Sequence, residues 1–533
     1  MKGFGLGTLL LCLLAVTPVQ AQFNYQLELD TFSLTTPPAL HSGAFANWNG
    51  KWFFLGGRRN GLHGFLPPFA FPTTDANTDI WMVNPALNQT VLSSADSLPD
   101  ALREPVESSN MEYYQQDSML YMVGGYGWRN ANNAFYTFPT LTAVNLRKLD
   151  QAITTQSSVV PAFRQISDTL LKVCGGQLEK MDSVFYLVFG HSFDGTYNVV
   201  DTLGNFVQRY TRDIRQFQLH DDGTLLSLYH ESAVHDSANY RRRDFNLVPQ
   251  IFPNGQYGFT AFAGVFQQGI NLPYLHPIDI QSSGPTLVPG FSQHLNQYHS
   301  ATLPAYDQAG NNMYTLFFGG MSMYRLDTAL QTLVTDSMVP FVKTISLVHR
   351  DMNGVLSEYK LPQEWNSYEG TDAYFILNNN IPLLQNRIVN LDSIHQKTLV
   401  GYIVGGIISP DSNISQTGST LSHASSNLYK VYLKLPDTDI GLHPIEEPLR
   451  LECSPNPFAG KLNINLELTT AQQVELSVVD IYGATVATIL NKNMSPGNWH
   501  FSWNAKKLSA GVYYIKVRTP KFLKATPVIL NNE

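Results

Sequence analysis

Apolar runs that stop at glycine set the rhythm of this chain. Leu120-Tyr121-Met122-Val123 runs into Gly124-Gly125. Close copies end at Gly56-Gly57, Gly319-Gly320 and Gly405-Gly406, and two degraded copies end at Gly190 and Gly264. Runs of this length, rich in Val, Ile, Phe and Tyr, predict buried strands. Glycine follows where the chain must turn sharply or pass a neighbour without a Cβ in the way. The last glycines of successive copies stand 68, 65, 74, 56 and 86 residues apart. One strand motif repeating at this length implies an array of equivalent small sheets. Residues 23–30 add strict alternation, with Phe23, Tyr25, Leu27 and Leu29 against Asn24, Gln26, Glu28 and Asp30, which predicts a half-buried strand. The last repeat supplies only three strands before the chain leaves, and residues 23–30 are the candidate for its fourth, pairing beside residues 428–433.

The glycine-paired strands resemble the Kelch-repeat β-propeller family over residues 23–434. The resemblance implies an all-β fold of six four-stranded blades. A seventh blade within residues 351–387 is the alternative. The family's regularly placed tryptophan is absent, and the spacings exceed a minimal blade of about 40–50 residues, so several loops are expanded.

After residue 435 the character changes. Residues 436–449, with Pro436, Gly441, Pro444 and Pro448 among acidic residues, read as a linker. Beyond it, strands are predicted at 462–468, 474–480, 485–490, 500–504 and 512–517. Pro455-Asn456-Pro457 opens this module, Tyr482-Gly483 follows, and Gly511-Val512-Tyr513 closes it. In this order the motifs resemble the type A sorting domain of the type IX secretion system. That implies an immunoglobulin-like sandwich over residues 450–533, with the secretion machinery as partner and the cell surface or medium as destination. A generic β-sandwich module is the alternative. The N-terminus agrees with export: Lys2, an apolar stretch from Leu9 to Val16 and Val19-Gln20-Ala21 spell a signal peptide over residues 1–21, which implies passage through the periplasm. No later apolar stretch is long enough for a membrane helix.

Composition narrows the partners. Charged residues make up 14% of the chain and the net charge is −8, without long basic clusters, which argues against nucleic acid. Outside the signal only Cys174 and Cys453 remain, too few for a disulfide framework.

No complete catalytic motif appears. His230 and His235 are five apart rather than the four that a helical zinc site needs. Asp75, Asn77 and Asp79 alternate like a calcium loop but lack its glycine and closing Glu. No cofactor is predicted, and calcium is the one ion kept in view. Ser192 and Ser322 lack the closing glycine of a nucleophile elbow. Asp-Ser-apolar triplets such as Asp117-Ser118-Met119 resemble a bacterial O-glycosylation sequon and equally suit hairpin turns. Copper radical oxidases also use Kelch-type propellers, but only Cys174 could supply a thioether there.

The remaining constellation is geometric. Repeat equivalence puts the loops after the glycines on one face. That gathers Arg58, Arg59 and His63, then Trp128 and Arg129, then His191 and Asp194, then Tyr324 and Arg325. Arginines among aromatic rings suit sugars or anionic groups. A binding or adhesion protein for glycan or protein ligands is therefore expected, and an extracellular carbohydrate-active or copper-dependent enzyme is the alternative.

Overall fold

The glycine-stopped runs form the second strands of small antiparallel sheets. They are Lys51–Leu55, Met119–Val123, Val184–Val188, Tyr257–Phe262, Asn312–Phe318 and Thr398–Ser409, each in a separate sheet. The computed structural model describes residues 23–64, 70–197, 206–327, 332–413, 421–436, 442–505 and 508–531. The predicted signal peptide and part of the predicted linker lie outside them. The described chain is all-β, with two α-helices of more than one turn, Asp100–Val106 and Leu146–Thr155. Neither was anticipated, although Leu146, Leu149, Ala152 and Ile153 carry the helical spacing and are buried.

The first four sheets are simple meanders, whereas the fifth adds Ile388–Asn390 parallel to Ala301–Asp307 and the sixth is completed from the N-terminus. The first runs Ala44–Trp48, Lys51–Leu55, Asp79–Asn84 and Gln89–Ser94 in spatial order. Residues 351–387 do not form a sheet of their own. Leu356–Glu364 extends the fifth sheet through Thr344–Arg350, and Tyr368–Leu377 opens the sixth. The sixth takes its outer strand from the N-terminus: Gln26–Phe32 lies antiparallel to Leu428–Lys434, from Gln26 opposite Lys434 to Phe32 opposite Leu428. This is the pairing that the alternation at residues 23–30 anticipates.

The sheets pack face to face in sequence order. Phe53 of the first meets Leu120 and Met122 of the second. Tyr121 of the second meets Phe185 of the third, and Tyr186 of the third meets Phe259 of the fourth. Phe262 packs on Phe317 of the fifth, and Leu316 shares a core with Ile403 of the sixth. Trp52 and Phe54 of the first sheet then share a core with Tyr374 and Val404 of the sixth.

The glycines explain how neighbours are joined. The amide of the second glycine in each copy donates to a carbonyl of the following sheet: Gly57 to Ser108, Gly125 to Val173, Gly190 to Arg242, Gly264 to Gln297 and Gly320 to Glu369. Gly406 of the last copy donates to Leu40, ahead of the first sheet. The first glycine must lack a Cβ because that same carbonyl abuts it; a Cβ on Gly124 would stand 2.0 Å from the Val173 oxygen. In the degraded copies Phe189 and Ala263 take the place of the first glycine at the same positive φ.

Beyond residue 448 a three-stranded sheet (Leu449–Ser454, Lys461–Leu468, Gly497–Asn504) faces a four-stranded one (Gln472–Val479, Thr485–Met494, Gly511–Arg518, Leu523–Leu530). Leu462 and Ile464 from one and Leu476 and Ile515 from the other share a core. Two of these strands lie outside the expected set. One starts at the end of the predicted linker, and the other occupies the apolar tail.

The two parts of the chain also share a core. Leu272, Leu275, Leu295, Met323 and Tyr324 cluster with Phe522 and Tyr514. Lys524, 3% exposed, donates to Glu447 at 2.8 Å and Ser292 at 3.1 Å. The turn at Ile481–Gly483 lies directly against Gly269.

Candidate functional site

One residue at the head of the first strand of each sheet builds the centre of the site, just ahead of the strand in five sheets and within Tyr368–Leu377 in the sixth. Asn110 N donates to Ser42 O, Gly175 N to Asn110 O, Asp244 N to Gly175 O, His299 N to Asp244 O and Asp372 N to His299 O, at 2.7–3.0 Å. The Ser42 hydroxyl then donates to Asp372 Oδ2 at 2.6 Å. Five of these six residues have positive φ, which turns each chain sharply into its strand.

On one side of this hydrogen-bonded centre lies a cavity of about 380 Å³, lined by residues of all six sheets. Arg58, Tyr126, His191, Arg243, Tyr298 and Asp372 represent them in order. Two guanidinium groups face it. Arg58 is 5% exposed; its Nε donates to Asn60 Oδ1 at 3.1 Å, its Nη2 donates to Pro72 O at 2.8 Å, and it lies over the Phe71 ring. Arg243 pairs through Nη1 with Asp244 and donates from Nε to the Tyr210 hydroxyl at 3.2 Å. Among the described residues nothing accepts from Arg58 Nη1 or Arg243 Nη2. Thr371 Oγ1, in the wall and buried, also lacks a partner there.

Asp372 organises a second set of polar groups in the lining. Its carboxylate accepts from Ser42, lies 3.0 Å from His299 Nδ1 and 3.9 Å from His41 Nδ1. Burial works against its charge, yet His299, His41 and Ser42 together hold the carboxyl below the usual range. Burial pushes His41 and His63 down to about 4, and His191 well below its ordinary value, so these rings are neutral near pH 7. Neutral imidazoles, aromatic faces and uncommitted guanidinium N–H groups suit a small polar ligand carrying negative charge.

Of the residues expected to gather here, Arg58, His63 and His191 line the cavity. Trp128 packs on Phe135, Arg129 lies over Tyr136, and Asp194 pairs with Lys172 at 2.7 Å; all three lie outside the lining. Arg59 is drawn out to Asp79. Tyr324 and Arg325 are not brought to the cavity. The Tyr324 hydroxyl donates to Leu523 O at 2.7 Å in the junction with the C-terminal part, and Arg325 is exposed. Asn77 and Asp79 spend side-chain oxygens locally, on Arg59, Trp81 and a backbone amide, and the Asp75 carbonyl accepts from Arg59 N. His230 and His235 pair with different carboxylates, Asp168 and Asp213. Cys174 borders the cavity with its thiol buried 3.9 Å from Thr137 Oγ1.

Sequence reasoning missed His41, Arg243, Asp244 and Asp372. A periodic signal for the six central residues was present: positions 42, 110, 175, 244, 299 and 372 recur at 68, 65, 69, 55 and 73 residues, against 68, 65, 74, 56 and 86 for the glycines.

The C-terminal motifs are placed as a group. Asn456 spans to the last strand, accepting from Ile529 N at 2.8 Å and donating to Pro527 O at 3.0 Å. Pro455 and Pro457 flank it at the surface. Gly483 and Gly511 hold positive φ, Tyr482 is 82% exposed, and Tyr513 packs on Trp503.

Residues 453–530 match the family described as the secretion system C-terminal sorting domain. This module is therefore a sorting domain, and it marks the chain for export by the type IX route to the cell surface or extracellular space. No helix among the described residues is long and apolar enough to cross a membrane. No curated protein matches the chain. Among solved structures, one titled "Structure of YjhT" is similar at 10% identity and a TM-score of 0.42, over 76% of this chain and 99% of that one. A likeness of that degree carries no argument about function.

Proposed function

We propose that residues 22–435 are a six-bladed Kelch-like β-propeller which, once exported, binds a small anionic glycan unit or a ligand of like chemistry in the cavity beside the central ring. The linker 436–449 and the sorting domain from residue 450 complete the chain. The propeller reading is supported by the six equivalent glycine-amide bonds and by the shared core of the first and sixth sheets. The binding reading rests on one observation: loops of all six sheets converge on a single cavity where Arg58 and Arg243 each keep an uncommitted N–H edge. A concave site of this size favours the terminal unit of a glycan over a flat protein surface.

The test is a glycan array and calorimetry on the mature chain, repeated with Arg243→Ala and Arg58→Ala. Acidic glycans bind the wild type, and either substitution weakens them by roughly tenfold or more, as expected for a lost charge-assisted bond of about 1.5–3 kcal/mol. Acidic-glycan binding unchanged in both variants overturns the reading.

An enzyme acting on the same ligand is the second reading. It is favoured by Asp372, which gathers two histidines and a serine at the cavity wall. Turnover abolished by Asp372→Asn with binding retained is its signature.

A further inference from the structure

The other side of the central ring holds a larger concavity of about 970 Å³, to which all six first strands contribute. Its chemistry differs from that of the first cavity. Aromatic rings (Phe45, Tyr113, Phe375) alternate with carboxamides (Asn47, Gln115, Asn386). Its arginine is already committed: Arg387 lies over the Tyr114 ring and pairs with Glu179 at 3.4 Å. Asp117 is exposed on a hairpin turn at its edge.

Three residues of this lining each carry a buried polar atom with no partner among the described residues: Asn47 Oδ1, Ser300 Oγ and Asn386 Nδ2. Ser300 is 3% exposed. A buried polar atom without a partner costs about 1–3 kcal/mol, so each marks a place where a bond is wanted. One is an acceptor, one a donor, and one can be either. A hydroxyl group, which donates and accepts at once, complements such a set, whereas a carboxylate can only accept. Gln115 is not available for this purpose. Its side chain is clamped to the Asn47 backbone, accepting from Asn47 N at 2.9 Å and donating to Asn47 O at 2.8 Å, and it fixes Asn47 in place. Flat aromatic faces stack on the apolar faces of sugar rings, and amides read their hydroxyls.

We infer that this second concavity is a separate binding site for neutral, hydroxyl-rich ligands, of the size of a short oligosaccharide. The molecule then presents two sites of different character on the two sides of one hydrogen-bonded ring, one with uncommitted guanidinium N–H groups and one whose arginine is already paired.

The experiment is saturation-transfer NMR on the full mature chain with cellotriose, maltotriose and tri-N-acetylchitotriose as probes. At least one binds at millimolar concentration. Asn47→Leu and Asn386→Leu each weaken it about tenfold or more, while Arg243→Ala in the first cavity leaves it unchanged. Thermal melts of each variant establish that the fold is intact. As a second arm, a bulky maleimide attached at Asn386→Cys blocks the trisaccharide. Failure of all three probes to bind overturns the inference, since the three atoms are then satisfied by water alone. So does binding that survives both asparagine variants. Binding lost with Arg243→Ala would assign neutral sugars to the first cavity and would likewise overturn it. Acidic-glycan binding is read separately, so failure here leaves the first site's test intact.

Discussion

Gly124 and Glu112 show how tightly single residues are held where neighbouring sheets meet. Gly124 has φ +67°, and the Val173 carbonyl occupies the space of its missing side chain. The left-handed backbone alone costs a non-glycine residue about 1–3 kcal/mol, and the clash adds to it. Gly124→Ala should therefore lower the denaturation midpoint by more than the backbone term alone accounts for, in an equilibrium urea titration. An alanine tolerated within about 0.5 kcal/mol would refute the close approach. Glu112 is 2% exposed; one oxygen accepts from Gly176 N at 2.7 Å and the other has no partner among the described residues. Burial pushes its carboxyl up to about 8. The folded state thus keeps a proton that the unfolded state releases near its ordinary value. Stability is fully present below that value and falls as pH rises through about 8. Glu112→Gln, which imitates the protonated acid, should be increasingly stabilised relative to wild type between pH 5 and 8.5; a constant difference would refute the buried protonated carboxyl. At this scale the sequence was readable for residues whose backbone is constrained, such as the glycine pairs. It was poorly readable for the site. Arg243 and Asp372 owe their importance to loops from distant repeats, and Arg129 was drawn to a neighbouring ring that no spacing rule reveals.

Strands were legible where one face is dry. In the N-terminal strand Leu27 is 5% exposed between the fifth and sixth sheets, whereas Glu28 points outward to Lys397 and Lys434. Removing the buried methyl groups in Leu27→Ala should cost about 2–5 kcal/mol. Removing the partly exposed ion pairs in Glu28→Ala should cost at most about 1 kcal/mol. Equal losses in chemical denaturation would mean that the strand does not close the sixth sheet with this register. Alternation marked this strand well, and Lys461–Leu468 was expected from residue 462. Alternation failed at Leu523–Leu530, where Pro527 interrupts the pattern; the strand tolerates it because it lies at the sheet edge. The helix Leu146–Thr155 was overlooked because its apolar spacing sits inside a loop between two strands of one sheet.

At the scale of the whole molecule, the sequence announced a linker and an independent C-terminal module, and nothing in it announced that the module docks. An interface between two folded parts has no periodicity of its own, so Tyr324 read as a loop residue rather than as a buried plug beneath Phe522. The docking has a polar centre. Burial works against the Glu447 charge, but Lys524 and His294 hold its carboxyl down to about 2, so this carboxylate stays ionised near neutral pH. Removing one partner of a buried pair costs about 3–5 kcal/mol, because the other charge is left behind. In Lys524→Met the docking energy should fall by that order, and a calorimetric scan that is a single transition in the wild type should split into two. Export makes a different demand. The Tyr482 ring stands 82% exposed on a turn whose other side rests on Gly269, so it is the part of that motif open to a partner while the module stays docked. Tyr482→Ala should reduce the amount of protein at the surface or in the medium and leave the calorimetric scan unchanged, whereas Lys524→Met should split the scan and leave export intact. If Lys524→Met blocks export as strongly as deletion of residues 449–533, the machinery reads the docked form and the two properties are one.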